Sequence, residues 1–276
     1  SDEKKFGGVG LSLHGVVRGT VRRCLATANQ LHGIEVSEHA QPVLEGNTCE
    51  GNQQGGIAYF ENAGGTARNN TCRGNGYRGI GVHGQAQPVL EGNTCEANQE
   101  GGIAYFKNAG GTARNNTCRG NGYHGIGVQG QAQPVLEGNT CERNQIAGII
   151  YWDNSRGTAL KNVCRGNGYH GIELDHQAQP ALKENTCHAN GESGIAFFDE
   201  AAGTAEKNYC VRNGQYGIIL GSKATPMLSS NVCEGNPAGH IYRANSSESN
   251  TAKLFEELAQ HLGMADETNG ATEQGK

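Results

Sequence analysis

Glycine followed by isoleucine recurs every 23 residues, at Gly33, Gly56, Gly79, Gly102, Gly125, Gly148, Gly171, Gly194 and Gly217. Counting such a Gly as position 0, Cys holds position 16 on nine successive repeats, from Cys49 to Cys233. Asn holds position 14, from Asn47 to Asn231, and position 19, from Asn29 to Asn236. Self-similarity this strict is foreign to an ordinary globule. It predicts a solenoid, in which each repeat makes one turn and touches only its neighbours.

The stretch Gly102 to His124 reads GIAYFKNAGGTARNNTCRGNGYH. Ile103 and Tyr105 alternate with Ala104 and Phe106, the period of a strand with one face inward. Asn108 to Gly111 is turn chemistry. Thr112 to Arg114 forms a second short strand ended by Asn115 and Asn116, and Thr117 to Arg119 a third, ended by Gly120, Asn121 and Gly122. Short strands joined by Gly and Asn corners predict a parallel β-helix. A leucine-rich repeat has a similar period and its own Asn ladder, but about half of its repeat is a helix or a Leu-rich return. Here that stretch is Gly, Asn, Thr and Gln, which are poor helix formers. The left-handed hexapeptide helix has a shorter coil and a sub-period that this chain lacks. The expected fold is all-β: a right-handed parallel β-helix solenoid of about ten coils.

A finer alternation sets the true unit at two coils. Position 9 alternates Pro42, Gly65, Pro88, Gly111 and Pro134, while position 11 alternates Leu44, Ala67, Leu90, Ala113 and Leu136. Large and small side chains then layer to fill a narrow core.

The sequence AQPVLEGNTCEANQEGGIAYFKNAGGTARNNTCRGNGYHGIGV resembles the repeat of the right-handed β-helix, or pectate-lyase-like, superfamily. In particular it is similar to the carbohydrate-binding-and-sugar-hydrolase type of domain, also found in some F-box proteins. The resemblance runs from Gly10 to Tyr242. It implies the fold and a ligand surface on the face of the first strand. Activity does not follow, because that superfamily includes lyases, hydrolases, epimerases and non-catalytic modules. The D-P-H-D of its alginate epimerases is absent, as are the Asp-Asp and G-H-G of its polygalacturonases. Ile172 to His176, IELDH, is only partly similar to a pectate-lyase signature, lacking the calcium carboxylates and Arg.

The chain would divide into a lead-in over 1–9, the β-helix over 10–245, a capping helix over 250–263 and a loose tail over 264–276. Leu254, Phe255, Leu258 and Leu262 give the helix one apolar face, and Gly263 a stop. The net charge of −5 and the interleaving of Arg with Glu argue against a nucleic-acid partner. No apolar run reaches membrane-spanning length, so no membrane association is expected. Along position 12, Glu45, Arg68, Glu91, Arg114 and Glu137 alternate in sign, as do Glu50, Arg73, Glu96, Arg119, Glu142 and Arg165 at position 17. Such charges would pair between coils.

The cysteines form no C-x-x-C pair and run along the rod, so they read as small buried hydrophobes. Parallel stacking gives the wrong dihedral for disulfides. Free thiols and the lack of a visible signal peptide favour the cytoplasm. The Asn rows would take left-handed corners and hydrogen-bond from coil to coil.

Two groups of residues carry the functional expectation. At position 4, Phe60, Phe106, Trp152 and Phe198 recur on alternate coils, with His83, Gln129 and Asp175 between them. The aromatics would sit about 10 Å apart. They would either stack on an extended glycan, with Glu173 and Asp175 beside them, or fold over the corner and shield it. At position 5, Asp153, His176 and Asp199 stack as a carboxylate–His–carboxylate column. It would serve general acid–base chemistry or a cation, or else the His would simply relieve the acids' repulsion. No cofactor and no resident metal are expected. The reading favoured is a non-catalytic binding scaffold for an extended carbohydrate or a protein partner, as a module of a larger chain. The alternative is a polysaccharide lyase or hydrolase centred on Asp153, His176 and Asp199.

Overall fold

A computed structural model describes residues 8–245, and these form a right-handed parallel β-helix. The expected capping helix over 250–263, the tail over 264–276 and most of the lead-in lie outside the described residues. Each coil has three short strands, such as Ile103–Tyr105, Thr112–Arg114 and Thr117–Arg119. They stack into three parallel sheets of 11, 10 and 10 strands. Every residue pairs with its own counterpart: Ile80 with Ile103, Ile103 with Ile126, Cys95 with Cys118.

The core explains the two-coil unit by volume. On the first sheet Tyr59, Tyr105, Tyr151 and Phe197 alternate inward with Val82, Val128 and Leu174, all fully buried. On the second sheet the order is reversed, since Ala67, Ala113, Ala159 and Ala205 share coils with the aromatics, and Leu90, Leu136 and Leu182 with the aliphatics. Large faces small in each layer, which keeps the interior close-packed at constant coil size. The third sheet contributes the cysteines, all free, and all nine from Cys49 to Cys233 are buried. Burial is the largest cause holding the Cys141 and Cys164 thiols well above their ordinary pKa. The glycine period is tied to this row. A Cβ on Gly102 would lie 2.6 Å from the Gly125 carbonyl and 2.8 Å from Cys118 Sγ, so Gly vacates space that the thiol sixteen residues on fills.

Asparagine holds the coils together. Asn116 Nδ2 donates to Asn139 Oδ1 at 2.9 Å and to the Leu90 carbonyl at 2.9 Å, and its backbone N–H donates to the same Oδ1 at 3.0 Å. Its own Oδ1 accepts the matching pair from Asn93. The amide is thus saturated while fully inside the protein, as a buried polar group must be. The row at position 19 repeats the arrangement, with Asn121 Nδ2 bonding Asn144 Oδ1 at 2.9 Å and the Cys95 carbonyl at 3.2 Å. The ladder asparagines do not supply the left-handed corners, contrary to expectation. That conformation falls one residue earlier, at Asn115 (φ 55°) and Gly120 (φ 59°), which frees each ladder Asn to point inward. Outside, the alternating charges pair as expected, including Arg73–Glu50 at 2.8 Å and Arg119–Glu96 at 2.6 Å. Such exposed pairs contribute little to stability; their greater effect is to penalise a one-coil slip.

Replacing Asn116 with Ala orphans several buried groups at once and should lower stability by about 3–5 kcal/mol, read from urea unfolding. Native alkylation should modify Cys24, the exposed thiol, quickly and Cys49 through Cys210 only after denaturation. A loss below about 1 kcal/mol for Asn116→Ala, or rapid labelling of the buried row, would contradict this packing.

Candidate functional site

The outer face of the first sheet is covered by the chain's own side chains. Its floor is the position 2 row, where Ala58, Ala104, Ile150, Glu173 and Ala196 are at most 1% exposed. Two flanking rows close over it in alternation. Where the residue before the coil glycine is small (Gly55, Gly101, Ala147, Ser193), the residue after the strand is Phe60, Phe106, Trp152 or Phe198. On the other coils the bulk lies on the opposite side, as Arg78, His124 or His170. The interleaving is tight: a Cβ on Gly101 would lie 2.7 Å from His124 Nε2. Phe60 stacks on His83 at 5.0 Å and His83 on Phe106 at 4.6 Å, with the Arg78 guanidinium 4.5 Å from the Phe106 centroid. Trp152 meets His124 edge-on at 5.6 Å, and Phe198 lies 5.5 Å from His170. Tyr123, Ile146, Ala147 and Ile150 form a small apolar cluster beneath Trp152.

This layer changes the reading of the predicted site residues. Phe60, Phe106, Trp152 and Phe198 do line up on one face, half-buried. The faces of Phe60 and Phe106 are taken by His83 and Arg78, so these rings turn their edges to solvent. Position 2 points outward, as strand alternation requires, but it is sealed. Glu173 therefore corrects the expectation that it lines a ligand surface: it is 0% exposed. Both of its carboxyl oxygens lack a hydrogen-bond partner among the described residues. Burial, and then the Asp175 and Glu192 carboxylates, push its pKa well up.

Burial also keeps the covering histidines neutral, lowering His83 and His124 to about 3 and His170 to about 4. His170 Nδ1 accepts a bond from the Ser193 N–H at 3.2 Å, which leaves Nε2 to carry the proton toward Glu192 Oε2 at 3.3 Å. His124 has no partner at either ring nitrogen.

Beside Glu173 the predicted column comes together, with Asp175 added. Asp153, His176 and Asp199 occupy a left-handed corner, at φ 58°, 54° and 44°. Gly84 and Gly130 fill the same place on other coils, and Asp and His tolerate it better than most residues. His176 Nδ1 lies 3.7 Å from Asp153 Oδ1. Asp175 Oδ1 accepts the His176 backbone N–H at 2.7 Å. One ligand atom from each of Asp175, His176 and Asp199 falls within 4.8 Å of the others, the group among the described residues with the makings of a metal site. Burial, opposed by the bond from His176, raises the Asp175 carboxyl.

One row was missed in the sequence. Position 6, on the corner between the first and second sheets, reads Asn62, Gln85, Asn108, Gln131, Asn154 and Gln177 on six successive coils, all exposed. Of these side-chain amides, Gln177 bonds Glu200 at 3.2 Å, and the others make no hydrogen bond among the described residues. The unbroken run of amides was visible as a register position.

Comparison with known proteins agrees with the architecture. A family model described as a right handed beta helix region matches residues 4–122 and 105–233. No curated protein sequence matches the chain. Among solved structures it is similar to the periplasmic alginate epimerase AlgG, with 12% identity and a TM-score of 0.62 over 85% of this chain and 77% of that one. It is also similar to the A-module of the mannuronan C-5 epimerase AlgE6 from Azotobacter vinelandii, with 16% identity and a TM-score of 0.63 over 85% and 80%. The AlgE4 A-module from the same organism gives 15% identity and a TM-score of 0.57, again over 85% and 80%. At these identities the likeness is one of fold.

Glu173→Ala, which installs the residue of Ala104 and Ala196, should stabilise the protein by about 1–3 kcal/mol by removing an unpartnered buried carboxyl. The sign with pH follows from the raised folded-state pKa. Wild type holds its full stability below the ordinary carboxyl pKa and loses it as pH rises through the elevated value. The gain should therefore grow from mildly acid to neutral pH. Paired urea titrations of the two proteins cancel the other titrating groups; a variant less stable than wild type at pH 7 would refute this account.

Proposed function

The chain belongs to the right-handed β-helix family, and on that premise we propose that it is a non-catalytic scaffold that binds an extended, neutral carbohydrate along the corner between its first and second sheets. The observation that carries this reading is the row of exposed amides, Asn62, Gln85, Asn108, Gln131, Asn154 and Gln177, one per coil. An amide both donates and accepts in one plane, which suits adjacent hydroxyls on a sugar ring. Coils repeat at about 4.8 Å, so every second amide advances about 10 Å, close to a disaccharide step in an extended β-linked chain. The row stands on a rigid rod, so little backbone freedom is lost on binding.

The edges of Phe60, Phe106 and Trp152 border the same corner and offer apolar contact to sugar C–H groups. Charge selects among glycans. Glu61, Asp153, Asp175, Asp199 and Glu200 stand against Lys107 and Arg156, which disfavours a polyuronate. The solved neighbours are named as alginate and mannuronan epimerases, so related rods work on extended polysaccharides. Their D-P-H-D pattern is missing here. The enzymatic reading rests on the cluster of Asp153, His176 and Asp199, which stays open to solvent at a turn.

Titration with neutral β-linked oligosaccharides should shift the emission of Trp152, the single tryptophan. The pair Asn108→Ala with Gln131→Ala should weaken binding at least about tenfold with the melting temperature unchanged. No product should form from neutral or uronate polysaccharides, with or without calcium. Turnover abolished by Asp153→Asn, His176→Ala or Asp199→Asn would replace the scaffold with a lyase or hydrolase, and a silent response across the glycan panel would point to a protein partner.

A further inference from the structure

We propose that Asp175, His176 and Asp199 form a binding site for a divalent transition-metal ion, with Glu173 as a buried carboxyl two residues before Asp175, on the strand Ile172–Leu174. The inference is independent of the carbohydrate reading. Two carboxylates and one imidazole supply a mixed oxygen and nitrogen donor set, the set that suits zinc, cobalt or manganese better than the all-oxygen shell calcium prefers. Ligands about 2.1 Å from an ion lie about 3–4 Å from one another. The three donor atoms already lie within 4.8 Å, and His176 and Asp199 are exposed enough to close the remainder by side-chain rotation.

Two features set this cluster apart from an ordinary patch of surface acids. Asp153 lies 3.7 Å from His176 Nδ1, the place of the carboxylate that commonly orients a ligating imidazole through its other nitrogen. The strongest sign is independent of the cluster's own members. Glu173 leaves the outward face of the same strand two residues before Asp175, is 0% exposed, and has both oxygens unpartnered. The same register place holds Ala58, Gly81, Ala104, Ile150 and Ala196 on other sealed coils, so packing alone does not call for a carboxyl. A cation bound nearby would supply the electrostatic partner that this carboxyl lacks.

The test uses the full chain carrying Cys24→Ser, which removes the exposed thiol, stripped with a chelator and dialysed against Zn2+, Mn2+, Co2+ or Ca2+. One transition-metal ion per chain should bind. Co2+ should give weak d–d bands without the intense near-ultraviolet absorption of a thiolate ligand, which separates this site from the buried cysteines. His176→Gly keeps the corner conformation that Gly84 and Gly130 adopt, and it should weaken binding at least tenfold, as should Asp199→Asn. Glu173→Ala should weaken it several-fold while raising the melting temperature of the metal-free protein. The proposal is overturned by no binding of Zn2+, Mn2+ or Co2+ at millimolar concentration, by a thiolate band, by Ca2+ binding that His176→Gly leaves intact, or by unchanged affinity in both ligand variants.

Discussion

The rod depends on a single distance, the separation at which a side-chain amide can bond its own copy in the next turn. Each ladder Asn spends both donors and its acceptor on the neighbouring coils, so the amide is satisfied only if those coils are present and in register. A coil one residue longer or shorter would move Asn out of line and leave several dry polar groups without partners. The period of the sequence is therefore a hydrogen-bonding constraint before it is a hydrophobic one. Gly at the start of each coil and Cys on the third sheet follow from the same stacking, because the Cys at position 16 fills the volume that the Gly at position 0 of the same repeat leaves open.

A second constraint acts across each coil. Constant circumference forces large and small residues to trade places between the first and second sheets, and the same alternation reappears outside the first sheet. There His32, Phe60, His83 and Phe106 close over a floor of small residues, so the rod has an inner core and a thinner outer one. Exposed polar groups are consequently displaced from the sheet face to its border, where the amide row and the acid cluster remain open. Glu173 is the titratable exception among the buried residues of that floor, which are otherwise apolar.

Much of this was legible in the chain itself. Strand positions, the Cys and Asn rows and the paired charges all follow from one register, because a parallel stack brings each residue against its own copy. The outer layer was legible only in part: the position 4 rings could be read as shields over the corner, but Gly55, Arg78, Gly101 and His124 look unrelated until each is set beside the position 4 residue of the neighbouring coil. Strand alternation correctly sent Glu173 outward, but it gives direction only, and burial depended on what crossed above it. The column of Asp153, His176 and Asp199 was found by position, with Asp175 beside it as the residue before His176; the distances within the group depend on side-chain placement, which periodicity does not set. The corner conformations were misassigned by one residue because Asn suits both roles, and here the inward hydrogen bonds take precedence.

The ladder also bears on how this protein ages. Asn75-Gly76, Asn121-Gly122 and Asn167-Gly168 are sequences in which the glycine nitrogen can attack the asparagine side chain and convert it to aspartate. In the folded rod that nitrogen is already engaged, as Gly122 N–H is with the Asn98 carbonyl at 2.9 Å, and the side chain it would attack is clamped between coils. Chemical damage is thus confined to moments of unfolding. Once it occurs it is self-perpetuating, because an aspartate in the ladder buries a charge with no donors of its own and makes the next opening easier.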